Sequence, residues 1–199
     1  MITPTAPGRA LRRADFPTLI EALDYAAQGE TGLNFHGLRG ELAEALSYAD
    51  LRAAARDLAG RLLATGLAPG DRIGLIAETD GDFARAFFAC QYAGLIPAPL
   101  PLPAPLGGRA NYIEQMARML DAAAADALLG PQAMAAWVSD IAAVRPLRFA
   151  GGLADLPAPA GQALPEVGPD SPCYLQFSSG STRFPTGVLV THRALMANA

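Results

Sequence analysis

Five prolines stand on every second residue from Pro97 to Pro105, and this spacing restricts the fold more than any other feature of the chain. In an extended strand, residues two apart point their N–H groups to the same side, and proline has no N–H to donate. One edge of this segment therefore lacks every backbone donor. Beyond Ile96 we predict an edge strand or a polyproline-like wall, and a central strand is excluded. A docking site for a proline-binding domain is the alternative interpretation.

A strand, a helix and a second strand are predicted just before these prolines. Residues 71–77 contain an apolar run short enough for a strand that is buried on both faces. A helix is predicted over 82–94, and Leu95 and Ile96 open the next extended segment. Such units build parallel sheets with right-handed crossovers. The predicted fold class is therefore α/β, with a mainly parallel sheet flanked by helices.

Apolar periodicity and turn residues predict the other elements. Ser47 begins a capping box: its side chain accepts from the N–H of Asp50, whose carboxylate reaches back to the N–H of the cap. Residues 153–172, rich in Pro, Ala and Gly, are predicted to be a surface connection. The other predicted helices cover 16–25, 48–66, 108–123, 131–144 and 192–199, and the other predicted strands cover 32–36, 41–46, 127–129, 147–149, 174–177 and 188–190.

Residues 178–187, with the sequence SSGSTRFPTG, form a loop between the last two predicted strands. Two strands joined by such a loop make a phosphate cradle, because small residues admit an anion and N–H and hydroxyl groups converge on it. The Walker pattern G-x-x-x-x-G-K-[ST] is absent, since Gly180 and Gly187 are seven residues apart and Thr186 precedes the second glycine. A polar hairpin turn without a ligand is the alternative.

The composition, 51% hydrophobic and 17% charged, allows one or at most two packed domains in 199 residues. A net charge of −4 without a basic run argues against nucleic acid and anionic membrane as partners. All 15 Lys and Arg positions are arginine. Cys90 and Cys173 lack metal-binding spacing and are predicted to be buried free thiols in a reducing cytosol. Without a secretory signal or an apolar run of about 18 residues, we expect a soluble, cytoplasmic protein with no membrane span.

Three separated blocks resemble the adenylate-forming superfamily of acyl-CoA synthetases, fatty acyl-AMP ligases, peptide-synthetase adenylation domains and luciferases. The first block is A-L-S-Y-A-D-L over 45–51, and the second runs from G-D-R-I at 70–73 to Pro97. The third, [ST]-[ST]-G-[ST]-T-x-x-P-x-G-V over 178–188, is the chemically specific one. The proline-rich segment and L-Q-F-S-S-G-S-T-R over 175–183 are most similar to the fatty acyl-AMP ligase branch.

The resemblance implies an ATP- and Mg²⁺-dependent reaction in which a fatty-acid-like carboxylate attacks the α-phosphate, releasing pyrophosphate and forming an acyl-adenylate. Ligases of that branch commonly pass the acyl group to an acyl carrier protein rather than to coenzyme A. By the family pattern Ser178 helps to coordinate Mg²⁺. The residues that the resemblance assigns to ATP are Ser178, Ser179, Gly180, Ser181, Thr182, Arg183, Thr186 and Gly187.

The family usually has lysine where Thr186 stands, and threonine supplies no positive charge. Arg183 is the candidate replacement, since a guanidinium is permanently charged and binds phosphate in a bidentate manner; the alternative is a solvated arginine at the loop tip. Thr191 is a predicted N-cap, and His192 after it is interpreted as structural. No catalytic residue is assigned.

The same resemblance places the chain in the N-terminal part of an adenylation domain. Residues 1–152 are its α/β subdomain, 153–172 the connection, and 173–199 the strand, phosphate loop, strand and start of a helix. We expect the protein to continue beyond Ala199, because the last helix has barely two turns and no stop signal, and we expect this part alone to be inactive. The alternatives are a coenzyme A ligase and a stand-alone nucleotide-binding module without chemistry.

Overall fold

The protein is described by a computed structural model that covers residues 12, 15–104, 107–178 and 186–198. Within these ranges the helices are α1 Leu19–Ala26, α2 Tyr48–Ala64, α3 Gly81–Tyr92, α4 Arg109–Ala123, α5 Ala135–Val144 and α6 His192–Met196. The strands are β1 Gly32–His36, β2 Leu42–Ser47, β3 Arg72–Ile76, β4 Ile96–Leu100, β5 Ala127–Leu129, β6 Phe149–Gly151, β7 Pro172–Ser178 and β8 Thr186–Thr191. The predicted elements are thus confirmed, with differences at their ends.

Four parallel strands form the central sheet, in the order β4-β3-β5-β6. β3 lies in the interior of the sheet and is buried from Ile73 to Ile76, as its uninterrupted apolar run predicts. The chain passes from β3 to β4 on one side and then crosses over to β5 on the other. The α/β fold class is confirmed, and the predicted strand at 147–149 begins two residues later, at Phe149.

Helices cover both faces of this sheet. Ile73 and Leu75 pack in a cluster with α2 and α3, whereas Ile76 packs in a second cluster with α4 and α5. Gly74 lets α4 approach closely, because a Cβ at this position would lie 2.7 Å from Leu120 and 2.8 Å from Leu100. The single tryptophan, Trp137, packs edge-on against Tyr112.

The strand with alternating prolines lies at the edge of this four-stranded sheet, as predicted. The N–H of Ile96 donates to Asp71 at 2.9 Å, so the even-numbered residues of β4 face β3. Pro97 and Pro99 occupy the alternate positions, whose backbone points away from β3. The chain beyond Leu100 has no regular structure up to residue 104, and Pro105 lies outside the described residues.

The predicted capping box is only partly correct. The side chain of Ser47 accepts from the N–H of Asp50 at 3.0 Å, which caps α2 as predicted. The Asp50 carboxylate, however, accepts from the Ser47 hydroxyl at 2.6 Å and does not take up the backbone N–H of the cap. Ser47 is also the last residue of β2 and stands opposite Gly32, so its backbone already belongs to the β1–β2 hairpin.

The predicted surface connection contains one 3-10 turn, Leu153–Asp155, and no regular element from there to β7. It is held against α2 by Arg61, whose guanidinium donates to the carbonyls of Leu153 at 3.0 Å and Leu156 at 2.6 Å. Leu156 itself is buried. The connection therefore leads into β7 along a fixed path over the helical layer.

Candidate functional site

The hydroxyl- and glycine-rich segment joins the two strands of a β-hairpin. β7 and β8 are antiparallel, and their last pair toward the loop is Ser178 opposite Thr186. The two strands predicted around the loop are confirmed. The hairpin register therefore places Ser178, the first predicted phosphate ligand, opposite Thr186, which stands where the family usually has lysine.

Five of the eight predicted phosphate-binding residues lie outside the described part of the chain. They are Ser179, Gly180, Ser181, Thr182 and Arg183. Ser178 ends β7, Thr186 begins β8 and is exposed, and Gly187 follows opposite Phe177. The roles assigned to all eight residues stay predictions, and so does the role of Ser178 as a ligand of Mg²⁺.

Gly187 is fitted against the opposite strand. A Cβ at this position would lie 2.6 Å from Cδ2 of Leu175, which is closer than real Cβ atoms approach a neighbour. Leu175 is buried among the side chains of α4 and α5. The absence of a side chain at 187 thus lets β8 pass directly over a core residue, so the second glycine of the motif has a packing role in addition to any contact with phosphate.

An open crevice of about 660 Å³ adjoins the hairpin. Its walls come from the end of β4, from α4, from Ala77 just after β3, and from β7: Ala77, Pro99, Leu100, Pro101, Gln115, Met119, Tyr174, Gln176 and Phe177. The loop end of β7 consequently lies near the carboxyl ends of the parallel strands. Open α/β sheets bind their ligands at this edge.

A second cavity, of about 200 Å³, lies at the ends of β3 and β5, where the strand order of the sheet reverses. Its apolar floor includes Leu75 and Leu129, and its rim carries the carboxylates Glu78, Asp80 and Asp82. Asp80 also caps α3 by accepting from the N–H of Phe83 at 2.8 Å. Three carboxylates repel phosphate, so the hairpin and not this cavity is the candidate nucleotide site.

The base of the hairpin, opposite the loop, is held by two buried polar side chains, of which sequence reasoning singled out His192 but not Gln91. The amide of Gln91 on α3 donates to the carbonyl of Cys173 at 2.9 Å and accepts from its thiol at 3.2 Å. After β8, Nδ1 of His192 accepts from the N–H of Leu19 at 3.1 Å. A glutamine between Cys90 and Tyr92 on a buried helix face was the available signal for the first contact.

Burial sets the titration of the groups near the hairpin base. It lowers the pKa of His192 to about 4, so the imidazole stays neutral at pH 7, and this agrees with the structural role predicted for it. It raises the pKa of Cys173 to about 12 and raises the pKa of Cys90 as well. Both cysteines are buried free thiols, as predicted. None of these three groups is suited to acid–base chemistry at neutral pH.

The described part of the chain contains no group of three or more His, Cys, Asp and Glu side chains that could hold a metal ion. Mg²⁺ prefers oxygen ligands, and water molecules and phosphate oxygens usually supply most of them. A hydroxyl at the loop, together with nucleotide phosphates, would be such a set of ligands. By the family pattern, Ser178 is the predicted ligand of this kind.

The chain belongs to the AMP-binding enzyme family, whose pattern matches residues 29–199. The superfamily resemblance is thereby confirmed. A relative from Caulobacter vibrioides, provisionally named an acyl-CoA synthetase, is 64% identical over 198 residues, which cover 100% of this chain and 35% of that protein. A long-chain-fatty-acid–AMP ligase from Mycolicibacterium smegmatis is 33% identical over 172 residues, covering 83% of this chain and 26% of the ligase.

Solved structures agree with this assignment. One from a study of fatty acyl-adenylate ligases of E. coli and L. pneumophila superimposes with a TM-score of 0.87 at 42% identity, covering 94% of this chain and 34% of that one. The L. pneumophila ligase in complex with acyl adenylate and pyrophosphate shares the fold, with a TM-score of 0.78 at 23% identity, over 92% of this chain and 32% of the ligase. The chain thus spans about a third of the length of these proteins. No helix among the described residues is both long and apolar enough to cross a membrane.

Proposed function

We propose that the full-length protein is a fatty acyl-AMP ligase that joins a fatty-acid-like carboxylate to the AMP part of ATP and releases pyrophosphate. The observation that supports this most directly is the β7–β8 hairpin, which presents the signature loop from Ser178 to Thr186 near the carboxyl edge of a parallel sheet. The 42% identical fatty acyl-adenylate ligase structure supports the same activity.

The proposed task of the loop is to hold the β- and γ-phosphates so that pyrophosphate leaves in line. Backbone N–H groups and the hydroxyls of Ser178, Ser179, Ser181 and Thr182 donate to the phosphate oxygens, and Gly180 and Gly187 keep the backbone close. Arg183 supplies the positive charge that Thr186 lacks. Bound Mg²⁺ would neutralise phosphate charge, with the Ser178 hydroxyl among its ligands.

The crevice beside Tyr174 and Phe177 is the proposed entry for the hydrocarbon part of the carboxylate. Pro99, Leu100 and Met119 give it largely apolar walls, and it lies at the loop end of β7. Apolar walls stabilise a hydrocarbon chain by removing its surface from water. Reaction would then take place where this crevice meets the phosphates.

The acceptor of the acyl group distinguishes two candidate activities. The resemblance to the fatty acyl-AMP ligase branch implies transfer to a carrier protein, whereas the name of the 64% identical relative favours coenzyme A. We propose the carrier protein, and a cytoplasmic location in which the thiols of Cys90 and Cys173 stay reduced.

The test is to assay the full-length gene product with a fatty acid, ATP and Mg²⁺, and then with either coenzyme A or a carrier protein. We expect carboxylate-dependent ATP–pyrophosphate exchange and acylation of the carrier. Formation of acyl-CoA would establish the coenzyme A ligase instead. Nucleotide binding without exchange would overturn the ligase proposal in favour of a non-catalytic module.

A further inference from the structure

Three polar side chains are buried among the described residues, and one of them ties the start of β7 to helix α3. They are Thr18, Gln91 and His192. Thr18 caps α1. The Gln91 side chain is 1% exposed and makes two hydrogen bonds to a single residue of β7, Cys173. A buried amide in this position is costly to retain unless its hydrogen bonds are satisfied.

The two bonds fix different parts of Cys173. The amide N–H of Gln91 donates to the backbone carbonyl at 2.9 Å, and the amide oxygen accepts from the thiol at 3.2 Å. The same amide nitrogen also donates to the carbonyl of Phe87 at 3.4 Å, one turn earlier on α3. Gln91 on α3 therefore holds both the backbone and the side chain of Cys173, the second residue of β7. Helix α3 directly follows β3, the interior strand of the sheet.

Cys173 stands five residues before Ser178 on one strand, or about 17 Å along it. A small change of strand direction at Cys173 becomes a displacement of the loop at the other end. The side chains of Val188 and Leu189 are about half exposed, so the hairpin is held against the rest of the fold mainly through β7. We propose that Gln91 is a positioning residue that sets the place of the loop end of β7, at Ser178, through its paired hydrogen bonds to Cys173. This inference depends on the proposed ligase function.

The experiment compares Gln91→Met, which keeps the length of the side chain and removes both bonds, with Cys173→Ala, which removes only the thiol donor. We measure the KM for ATP, the KM for the fatty acid and kcat by ATP–pyrophosphate exchange in the full-length protein. For Gln91→Met we expect the KM for ATP to rise by about tenfold or more while the KM for the fatty acid stays the same. Cys173→Ala should give a smaller rise in the same direction.

Two controls separate positioning from stability. Cys173→Ser retains a donor and should restore the KM for ATP toward the wild-type value. Gln162→Met removes an amide that donates to the carbonyl of Gly60 on α2, away from the hairpin, and should leave the KM for ATP unchanged. A merely structural role of Gln91 would lower the melting temperature and the active fraction without changing the KM for ATP.

The outcomes are distinct. An unchanged KM for ATP in both Gln91→Met and Cys173→Ala, with normal exchange by the wild type, overturns the positioning role and leaves the ligase function standing. If Gln91→Met does not fold, an unchanged KM in Cys173→Ala overturns the role, and a raised KM that Cys173→Ser reverses supports it. A wild-type protein without exchange overturns the proposed function and this inference with it.

Discussion

Thr186 stands where the resemblance to the adenylate-forming superfamily leads us to expect lysine. It pairs with Ser178 at the start of the proposed phosphate loop. Arg183, three residues earlier, is the cation that the loop itself contributes. A guanidinium binds two phosphate oxygens in a fixed geometry, which a hydroxyl cannot do.

We predict that Arg183→Ala raises the KM for ATP by about tenfold or more, because a charged hydrogen bond to phosphate contributes about 1.5–3 kcal/mol. Adding Thr186→Lys to that variant should recover much of the loss by returning the cation to its family position. ATP–pyrophosphate exchange measures both. Arg118→Ala, at an exposed pair with Glu114 on α4, is the control. An unchanged apparent affinity for ATP would remove Arg183 from the mechanism.

His192 gives the stability of the protein a pH dependence. Burial holds its pKa at about 4, below the ordinary value of about 6.5, so between these values the unfolded chain binds a proton that the folded chain does not. We predict that its contribution is fully present above pH 6.5 and is lost as the pH falls, by about 1.4 kcal/mol per pH unit and by about 3 kcal/mol in all at pH 4.

Urea unfolding between pH 7 and 4.5 checks this prediction. His192→Asn keeps an acceptor for the N–H of Leu19 but does not titrate, so its stability should fall less with pH than that of the wild type. His36→Asn is the control, since His36 is exposed at the end of β1. Parallel curves for wild type and His192→Asn would contradict the prediction.

At the scale of elements, Asp24 joins three helices. Its carboxylate on α1 accepts from Arg52 on α2 at 2.5 Å and from the hydroxyl of Tyr92 at the end of α3 at 2.6 Å. The ion pair is partly solvated, with side-chain exposures of 40% for Arg52 and 36% for Asp24, which weakens it. The short helix α1 is thus fixed to α2 and α3 by one side chain as well as by its apolar face.

We predict that Asp24→Ala lowers the free energy of unfolding by about 1–2 kcal/mol and loosens α1 before the rest of the fold. Hydrogen exchange should accelerate more in α1 than in α3 and β3, where the increase should match only the lowered free energy of global unfolding. Asp121→Ala, which removes a well-exposed partner of Arg145, should have little effect. Uniform acceleration over all helices, or none, would contradict a local role for Asp24.

The pattern of elements could be predicted from the sequence because each depends on local signals. The alternating prolines predicted that β4 is an edge strand, and the apolar run before them predicted that β3 is buried on both faces. The start of β6 could not be predicted, because it is set by the pairing of Phe149 with Ala127 of β5, a strand of only three residues. Likewise Gln91 carries no motif, and its contact joins residues 82 positions apart. Contacts of this kind depend on tertiary packing.

At the scale of the whole molecule, the reactivity of the two cysteines shows whether the packing between α3 and the β7–β8 hairpin stays intact. Cys90 and Cys173 are both 0% exposed, one in α3 and the other at the start of β7. We predict that iodoacetamide at pH 8 modifies neither in the native protein and both in urea, since the thiolate is the reactive form and burial raises both pKa values. Peptide mass spectrometry measures the modification. Labelling of Cys173 alone in native protein would show that the hairpin opens.

Pro97 and Pro99 leave the outer side of β4 without N–H donors, and this affects how the sheet can pair with strands of other chains. A strand added from another chain needs donors as well as acceptors, and on its outer side β4 has no N–H at Pro97 or Pro99. At the opposite margin β6 offers only three residues, too short a template for stable addition. Neither margin of the sheet is therefore suited to pairing with a strand from another chain, because β7 also packs beside β4 and β6 is short.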